Sequence, residues 1–268
     1  MLTPLLARLG LDRVVLASSA SAPMPVDVLR FWASLGLAVM DVWGLTESVG
    51  VATLNTPDVG RNRLGSVGRP IEGIQVRLAD DGEVHLRGRS VFEGYLQPDG
   101  TVSPATDEEG WFATGDVGRI DEDGFLWITD RKKEIIVTSG GKNIPPVLVE
   151  NTLKEHPLVG QALVHGDARP YLVALLVLDP EMTPLWAGER GLDADGAGLD
   201  AHPEVLAEIE RAVAAANARL SRPEQVKRYR LLAGEWGPGT GELTPSLKLR
   251  RRVVEERYAE EVAALYRD

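Results

Sequence analysis

Cysteine is absent from the 268 residues, so disulfides, thiolate metal sites and cysteine nucleophiles are excluded, and a reducing, cytoplasmic compartment is the simple expectation. Histidine is scarce. His85, His156, His165 and His202 are scattered without the spacing of a metal-ligand set. Positive charge is in deficit: 29 lysines and arginines face 40 aspartates and glutamates, a formal charge of −11, the wrong sign for a surface that tracks nucleic-acid phosphates. Long apolar runs are missing as well. The longest, Leu172–Leu178, falls far short of the roughly 18–20 residues that span a bilayer and reads as a buried strand. The opening MLTPLLARLGLDRVV is broken by Pro4, Arg8, Asp12 and Arg13 and lacks a basic start, so it is a poor leader peptide.

What is present changes character along the chain. The first stretch alternates a strand (Val14–Ala17), a helix (Val26–Leu35) and a strand (Leu37–Val42), a βαβ fragment with Pro23 and Pro25 at the helix start and Gly36 at its end. From Gly65 to Thr129 short segments, IQVRL, EVHLR and FLWIT, are punctuated by DDG, PDG and DEDG turns, the pattern of a small twisted sheet or barrel. After Asp130 come strand EIIVT, a helix from about Pro146, strands ALVHG and YLVALLVLD, and helices at Val205–Leu220 and Arg252–Tyr266. These make an α+β domain of about 140 residues. LDADGAGLDAHP reads as a solvated loop.

Three segments carry candidate chemistry. DVWGLTES, Asp41–Ser48, follows a buried strand, and ligands of open α/β sheets collect at the carboxyl ends of strands. There Gly44 would let a phosphate approach the backbone, Thr46 would offer a hydroxyl, and Glu47 could hold a hard cation such as Mg²⁺ through oxygen. An ordinary βα turn with an acidic start is the plainer alternative. In GWFATGDVGRIDEDGFLWITDRKKEIIVTSGGKN, Gly110–Asn143, Asp116 sits in a turn where a carboxylate can accept both hydroxyls of a ribose, or merely cap the turn. Arg131 could bond the same sugar or a phosphate as a fixed fork of donors. The run Ser139–Gly141 gives a loop with open backbone amides. In GELTPSLKLRRR, Gly241–Arg252, Lys248 on a mobile arm could neutralise developing charge at a carboxylate and a phosphate. No GxxxxGK[ST] loop occurs, and SGGK lacks the partner motifs of penicillin-binding enzymes.

From Val14 to the C-terminus these segments, in this order, resemble the adenylate-forming superfamily of acyl-CoA synthetases, luciferases and peptide-synthetase adenylation domains. SASAP, Ser19–Pro23, stands where the family has SGGAP or SGAAP. WGLTE is similar to its YGxTE signature, and Gly110–Asn143 to its ribose, hinge and linker-loop motifs. The ending resembles the long-chain fatty acyl-CoA synthetases, where LTP-[ST]-LK-x-[KR]-R replaces SGKxxR. The resemblance implies residues 1–64 as the end of a large α/β domain, 65–129 as a small β-barrel subdomain, and 130–268 as a mobile α+β domain with its hinge near Asp130. It further implies nucleotide contacts at Ala20, Ser21, Ala22, Asp41, Trp43, Gly44, Asp116 and Arg131. Thr46 and Glu47 would serve phosphate and Mg²⁺, Gly140 and Gly141 the thioester step, and Lys248 the adenylation step. Ala20 replaces a common glycine of the pocket segment.

The implied reaction converts a fatty acid and ATP to acyl-AMP and pyrophosphate, after which coenzyme A displaces AMP. The mobile domain presents the lysine and the glycine loop in turn. The family's Ser/Thr/Gly-rich phosphate loop lies upstream of the matched region, so the 268 residues by themselves are expected not to run the full reaction. The missing N-terminal portion is an expected partner. A non-catalytic nucleotide- or partner-binding module, and a structural remnant, are the alternatives. With a lipid substrate, peripheral membrane contact is compatible; a transmembrane segment is not expected.

Overall fold

Val39–Trp43 organises the first part of the chain: its first three residues are buried, and it sits second in a four-stranded sheet. Ala17–Ser19 pairs with it in parallel, Thr53–Leu54 follows antiparallel, and Arg69–Pro70 completes the order. The helix Val26–Ser34 makes the crossover between the two parallel strands and buries Leu29. The first strand thus lies later than Val14–Ala17. Val14, Val15 and Leu16 are exposed outside it, and only Ala17–Ser19 comes into register with Val39–Asp41.

Residues 65–129 supply most of a second sheet, in which Phe112–Ile120 alternates buried and less buried residues. Ile74–Leu78, Glu83–Gly88, Phe112–Ile120 and Leu126–Arg131 form a curled antiparallel sheet in that spatial order. Its buried Ile74, Val84, Leu86 and Leu126 join Ala52, which precedes the strand Thr53–Leu54, in one core. A hairpin, Gly94–Leu96 with Val102–Pro104, stands beside it. The computed structural model describes residues 3–21, 24–192 and 198–267. It divides the chain into two compact units, Met1–Lys133 and Glu134–Asp268.

The second unit is built on Leu172–Leu178, six of whose seven residues are buried. Burying one Val or Leu side chain contributes about 1.5–3 kcal/mol, so this strand is the unit's strongest apolar anchor. Val159–His165 pairs with it antiparallel and Val226–Leu232 in parallel. The parallel pairing requires the long crossover that carries the helices Met182–Gly188 and Pro203–Arg219. Pro146–Lys154 and Pro203–Arg219 cover one face of the sheet, while Arg251–Arg257 and Ala259–Ala264 cover the other.

Two expected elements differ. EIIVT is a strand only at Ile136–Val137, because Lys132–Glu134 forms a 3-10 turn before it. The final helix breaks at Tyr258, whose backbone (φ −110°, ψ 28°) leaves the helical region. Part of the loop LDADGAGLDAHP, residues 193–197, lies outside the described residues. No helix among the described residues is long and apolar enough to cross a membrane.

Candidate functional site

In the first unit the candidate residues converge on Asp116. Its backbone amide donates to Thr114 Oγ1 (3.1 Å), and that hydroxyl donates to Val84 O (2.7 Å), which fixes the strand locally. Gly115 takes φ +73°, a conformation that suits glycine. The carboxylate, in a residue only 3% exposed, accepts from Trp43 Nε1 at Oδ2 (2.9 Å) and from Arg131 Nε at Oδ1 (2.7 Å). Arg131 is the register partner of Asp116 across the antiparallel pair, so strand pairing itself delivers the guanidinium. Trp43, at the end of its strand, comes from 73 residues away. A carboxylate oxygen can accept more than one hydrogen bond, so this framework leaves sugar hydroxyls chemically admissible.

The 3-10 turn Thr46–Ser48 follows the same strand. Thr46 is exposed and Glu47 half-buried. Glu47 Oε1 accepts from the Tyr95 hydroxyl (3.0 Å), and its carbonyl accepts from Phe92 N (2.8 Å). Burial first, and then Glu47, raise the Tyr95 phenol above its ordinary range. Gly44 has a reason the sequence did not reveal: a Cβ there would stand 1.6 Å from the Gly50 carbonyl, so its close approach is to backbone. Asp41 is buried in the strand, and burial pushes its carboxyl up to about 6. Ala20 is exposed, and Ser21 takes φ +73° in place of a glycine. Ala22 lies outside the described residues.

Glu83 and Lys132 belong to this framework, and the motifs did not point to them. Glu83 Oε1 accepts from Gly115 N (2.9 Å), while its Oε2 accepts from Lys132 Nζ (2.7 Å). Asp81 holds the same ammonium at 2.6 Å. Asp130, expected at the hinge, is buried within Leu126–Arg131 and pairs with Val117. The division between the units falls after Lys133, beyond this ladder.

In the second unit the loop around Gly140 is closed rather than open. Thr138 N donates to Lys142 O (3.0 Å), Gly141 N to Thr138 O (2.8 Å), Lys142 N to Thr138 Oγ1 (3.1 Å) and Ser139 N to Arg169 O (2.9 Å). The expectation of open amides is corrected at two of the run's three residues: Ser139 N is taken by Arg169 O and Gly141 N by Thr138 O. Gly141 requires its glycine at φ +72°, whereas a Cβ on Gly140 would meet nothing nearer than Thr138 Oγ1 at 3.9 Å.

Lys248 is exposed, and its ammonium makes no ion pair among the described residues. Its backbone is fixed: Thr244 N donates to Lys248 O (2.8 Å) and Lys248 N to Thr244 Oγ1 (3.0 Å), with a bridge between Leu243 and Leu249. Just beyond it, Arg251 Nη2 bonds both oxygens of Glu150 (2.8 and 2.9 Å) and Nη1 donates to Val164 O (3.0 Å). Burial pushes the Glu150 carboxyl up, against the opposing pull of Arg251.

The first unit thus holds a buried carboxylate bonded by an indole and a guanidinium near a Thr-Glu turn, and the second unit holds an exposed lysine. Residues 6–96 match the AMP-binding enzyme family and residues 133–268 the AMP-binding enzyme C-terminal domain. The chain belongs to the AMP-binding enzyme family. It is 44% identical over 267 residues to fadD11 of Mycobacterium tuberculosis (strain CDC 1551 / Oshkosh), which bears a fatty-acid–CoA ligase name; the match covers 99% of this chain and 46% of the relative. To the long-chain-fatty-acid–CoA ligase FadD15 of Mycobacterium bovis it is 43% identical, over 93% of this chain and 42% of the relative. The chain therefore spans less than half the length of these curated relatives. Among solved structures, the adenylation domain of a carboxylate reductase from Mycobacterium chelonae shares the fold. Its TM-score is 0.74 at 23% identity, covering 99% of this chain and 41% of that one.

Proposed function

We propose that the chain supplies the nucleotide cage and the lysine-bearing unit of an ATP-dependent fatty-acid–CoA ligase, acting in the cytoplasm. A carboxylate is a poor acyl donor because oxide is a poor leaving group. In the proposed reaction the acid's oxygen attacks the α-phosphorus of ATP, and the bond to the bridging oxygen breaks to release pyrophosphate. Coenzyme A's thiolate then attacks the acyl carbon and AMP departs. The protein's share is positioning and charge neutralisation. Asp116, oriented by Trp43 and Arg131, would accept the ribose hydroxyls, and Lys248 would meet the developing charge at the α-phosphate. Gly140 and Gly141 would border the thiol's approach.

Glu47 suits magnesium: it is one oxygen donor with no cluster of further acids among the described residues, and Mg²⁺ is commonly held by one or two carboxylates plus water and substrate phosphates. When bound, the ion would neutralise phosphate charge. The observation that carries the reading is the 44% identity to fadD11, which bears a fatty-acid–CoA ligase name, sustained over 99% of the chain.

The test is palmitate-dependent ATP–pyrophosphate exchange in a chimera in which this chain replaces the matching part of fadD11, with the 268 residues alone as the comparison. Exchange is expected in the chimera and not in the chain alone. Exchange driven by an amino acid or aryl acid, but not by palmitate, would overturn the substrate class.

A further inference from the structure

Lys248 reaches solvent from a turn whose two ends run into ion pairs on buried carboxylates, Glu242 and Glu150, neither of which the sequence motifs singled out. Ahead of it, Glu242 is 1% exposed, and its carboxylate is paired with Arg257 and lies 3.5 Å from the Tyr258 hydroxyl. The Glu242 carbonyl accepts from Arg250 N (2.7 Å), which closes the turn's base. After it, Arg251 opens the helix Arg251–Arg257 and is forked onto Glu150 of the helix Pro146–Lys154. Glu150 Oε1 also accepts from Val164 N (2.8 Å), and Arg251 Nη1 donates to Val164 O, so one strand residue is clasped by both partners. Arg251 Nε is buried without a hydrogen-bond partner, with Glu134 Oε2 3.9 Å away.

We propose that the Glu150–Arg251 pair, with Glu242 at the other end, sets the position of Lys248, making Arg251, Glu150 and Glu242 positioning residues for the adenylation step. A buried ion pair is a poor device for stability alone, since apolar residues of similar volume often hold a core equally well or better. An apolar pair cannot reproduce direction. A planar guanidinium bonded to two carboxylate oxygens and a strand carbonyl fixes where the helix begins and at what angle. Lys248 lies three residues upstream, and the turn's own bonds transmit that placement to its Cα. The charged side chain can then stay exposed and still arrive at a defined place.

The proposal rests on the ligase reading only for its kinetic arm. In the 268-residue chain, hydrogen exchange at the amides of Thr244 and Lys248 reports the turn, and exchange at Leu172–Leu178 reports the core. Arg251→Lys and Glu150→Gln should speed exchange at the turn at least tenfold more than they speed exchange at the core. The double variant Glu150→Leu/Arg251→Met should recover the thermal stability that Arg251→Met loses, yet leave the turn's exchange fast. In the chimera, Arg251→Lys should lower the rate of acyl-adenylate formation at least tenfold, with the KM for ATP and the conversion of supplied palmitoyl-AMP to thioester unchanged.

Unchanged exchange at the turn in Arg251→Lys and Glu150→Gln, or a double variant that restores stability and the turn together, overturns the proposal. Parallel loss in both half-reactions overturns it as well. A chimera with no adenylation before mutation fails the ligase reading alone, because the exchange measurements still decide whether the clamp fixes the turn.

Discussion

In the first unit the charge at the candidate site is gripped by its own side chain: Asp116 is buried, and both carboxylate oxygens meet donors from two other segments. In the second, the Lys248 side chain is exposed while the backbone beneath it is tied at Thr244 and flanked by ion pairs on the buried carboxylates Glu150 and Glu242. A group that receives a ligand can be preorganised to the last atom, at the cost of reach. A group that must approach a reaction centre keeps its last rotatable bonds free and puts the order one level down, in the main chain.

The contrast can be broken at five places. The largest expected effect is on stability: Arg251→Met leaves Glu150 buried and unpaired, a loss of about 3–5 kcal/mol that urea unfolding of the 268-residue chain would register. Lys248→Ala should leave folding unchanged but slow adenylation in the chimera about 10²-fold or more, on the scale of one lost preorganised donor, with thioester formation from supplied palmitoyl-AMP preserved. Asp116→Asn removes the charged acceptor. It should weaken ATP binding by about 1.5–3 kcal/mol in calorimetric titrations of the chimera, and 2′,3′-dideoxy-ATP should already bind the unmutated chimera that much more weakly.

Asp41 gives an effect with a sign set by pH. Its folded carboxyl, raised from 3.8 to about 6 by burial, favours the protonated form, so the fold loses stability as pH climbs through that window. Asp41→Asn should therefore be more stable than the parent above about pH 6, by roughly 1–2 kcal/mol after allowance for solvent screening, and should lose the advantage below about pH 4. Urea midpoints at the two ends check both the size and the sign. Smallest is Gly141→Ala, at about 1 kcal/mol from the positive φ, while Gly140→Ala should be tolerated because its Cβ has room. Equal melting shifts for the two glycine variants would contradict the turn geometry.

The sequence was most readable where a single local rule decided the outcome. Leu172–Leu178 has no polar residue to dilute its buried strand, and Pro146 opens its helix as proline at a first turn should. The antiparallel sheet announced itself through DDG and DEDG turns. Register was harder. Val14–Leu16 are as strand-like as Ala17–Ser19, and only the partner strand decides which three residues pair.

The candidate site divided along the same line. Asp116 and Arg131 stood in readable motifs, but the indole of Trp43 on Asp116 and the hydroxyl of Tyr95 on Glu47 bridge 73 and 48 residues. Glu150 and Arg251 are separated by 101. No periodicity encodes a contact of that span, and a buried Glu beside a basic run looks like any other until the fold joins them. Gly44 has a structural requirement that its motif did not carry: the neighbour that forbids a side chain there is the Gly50 carbonyl.

Leu247 puts a strained backbone into the lysine turn. It stands next to Lys248 at φ +60°, exposed, in a conformation that costs a residue with a side chain roughly 1–2 kcal/mol. The bonds from Leu247 N to Thr244 O and across Thr244–Lys248 hold it there, above the Arg250–Glu242 bond that closes the turn's base. Once they part, leucine falls back to negative φ, where a glycine would have lingered. The strained φ and the turn's hydrogen bonds therefore belong to one conformation, and a glycine at 247 would relieve the strain while leaving those bonds in place.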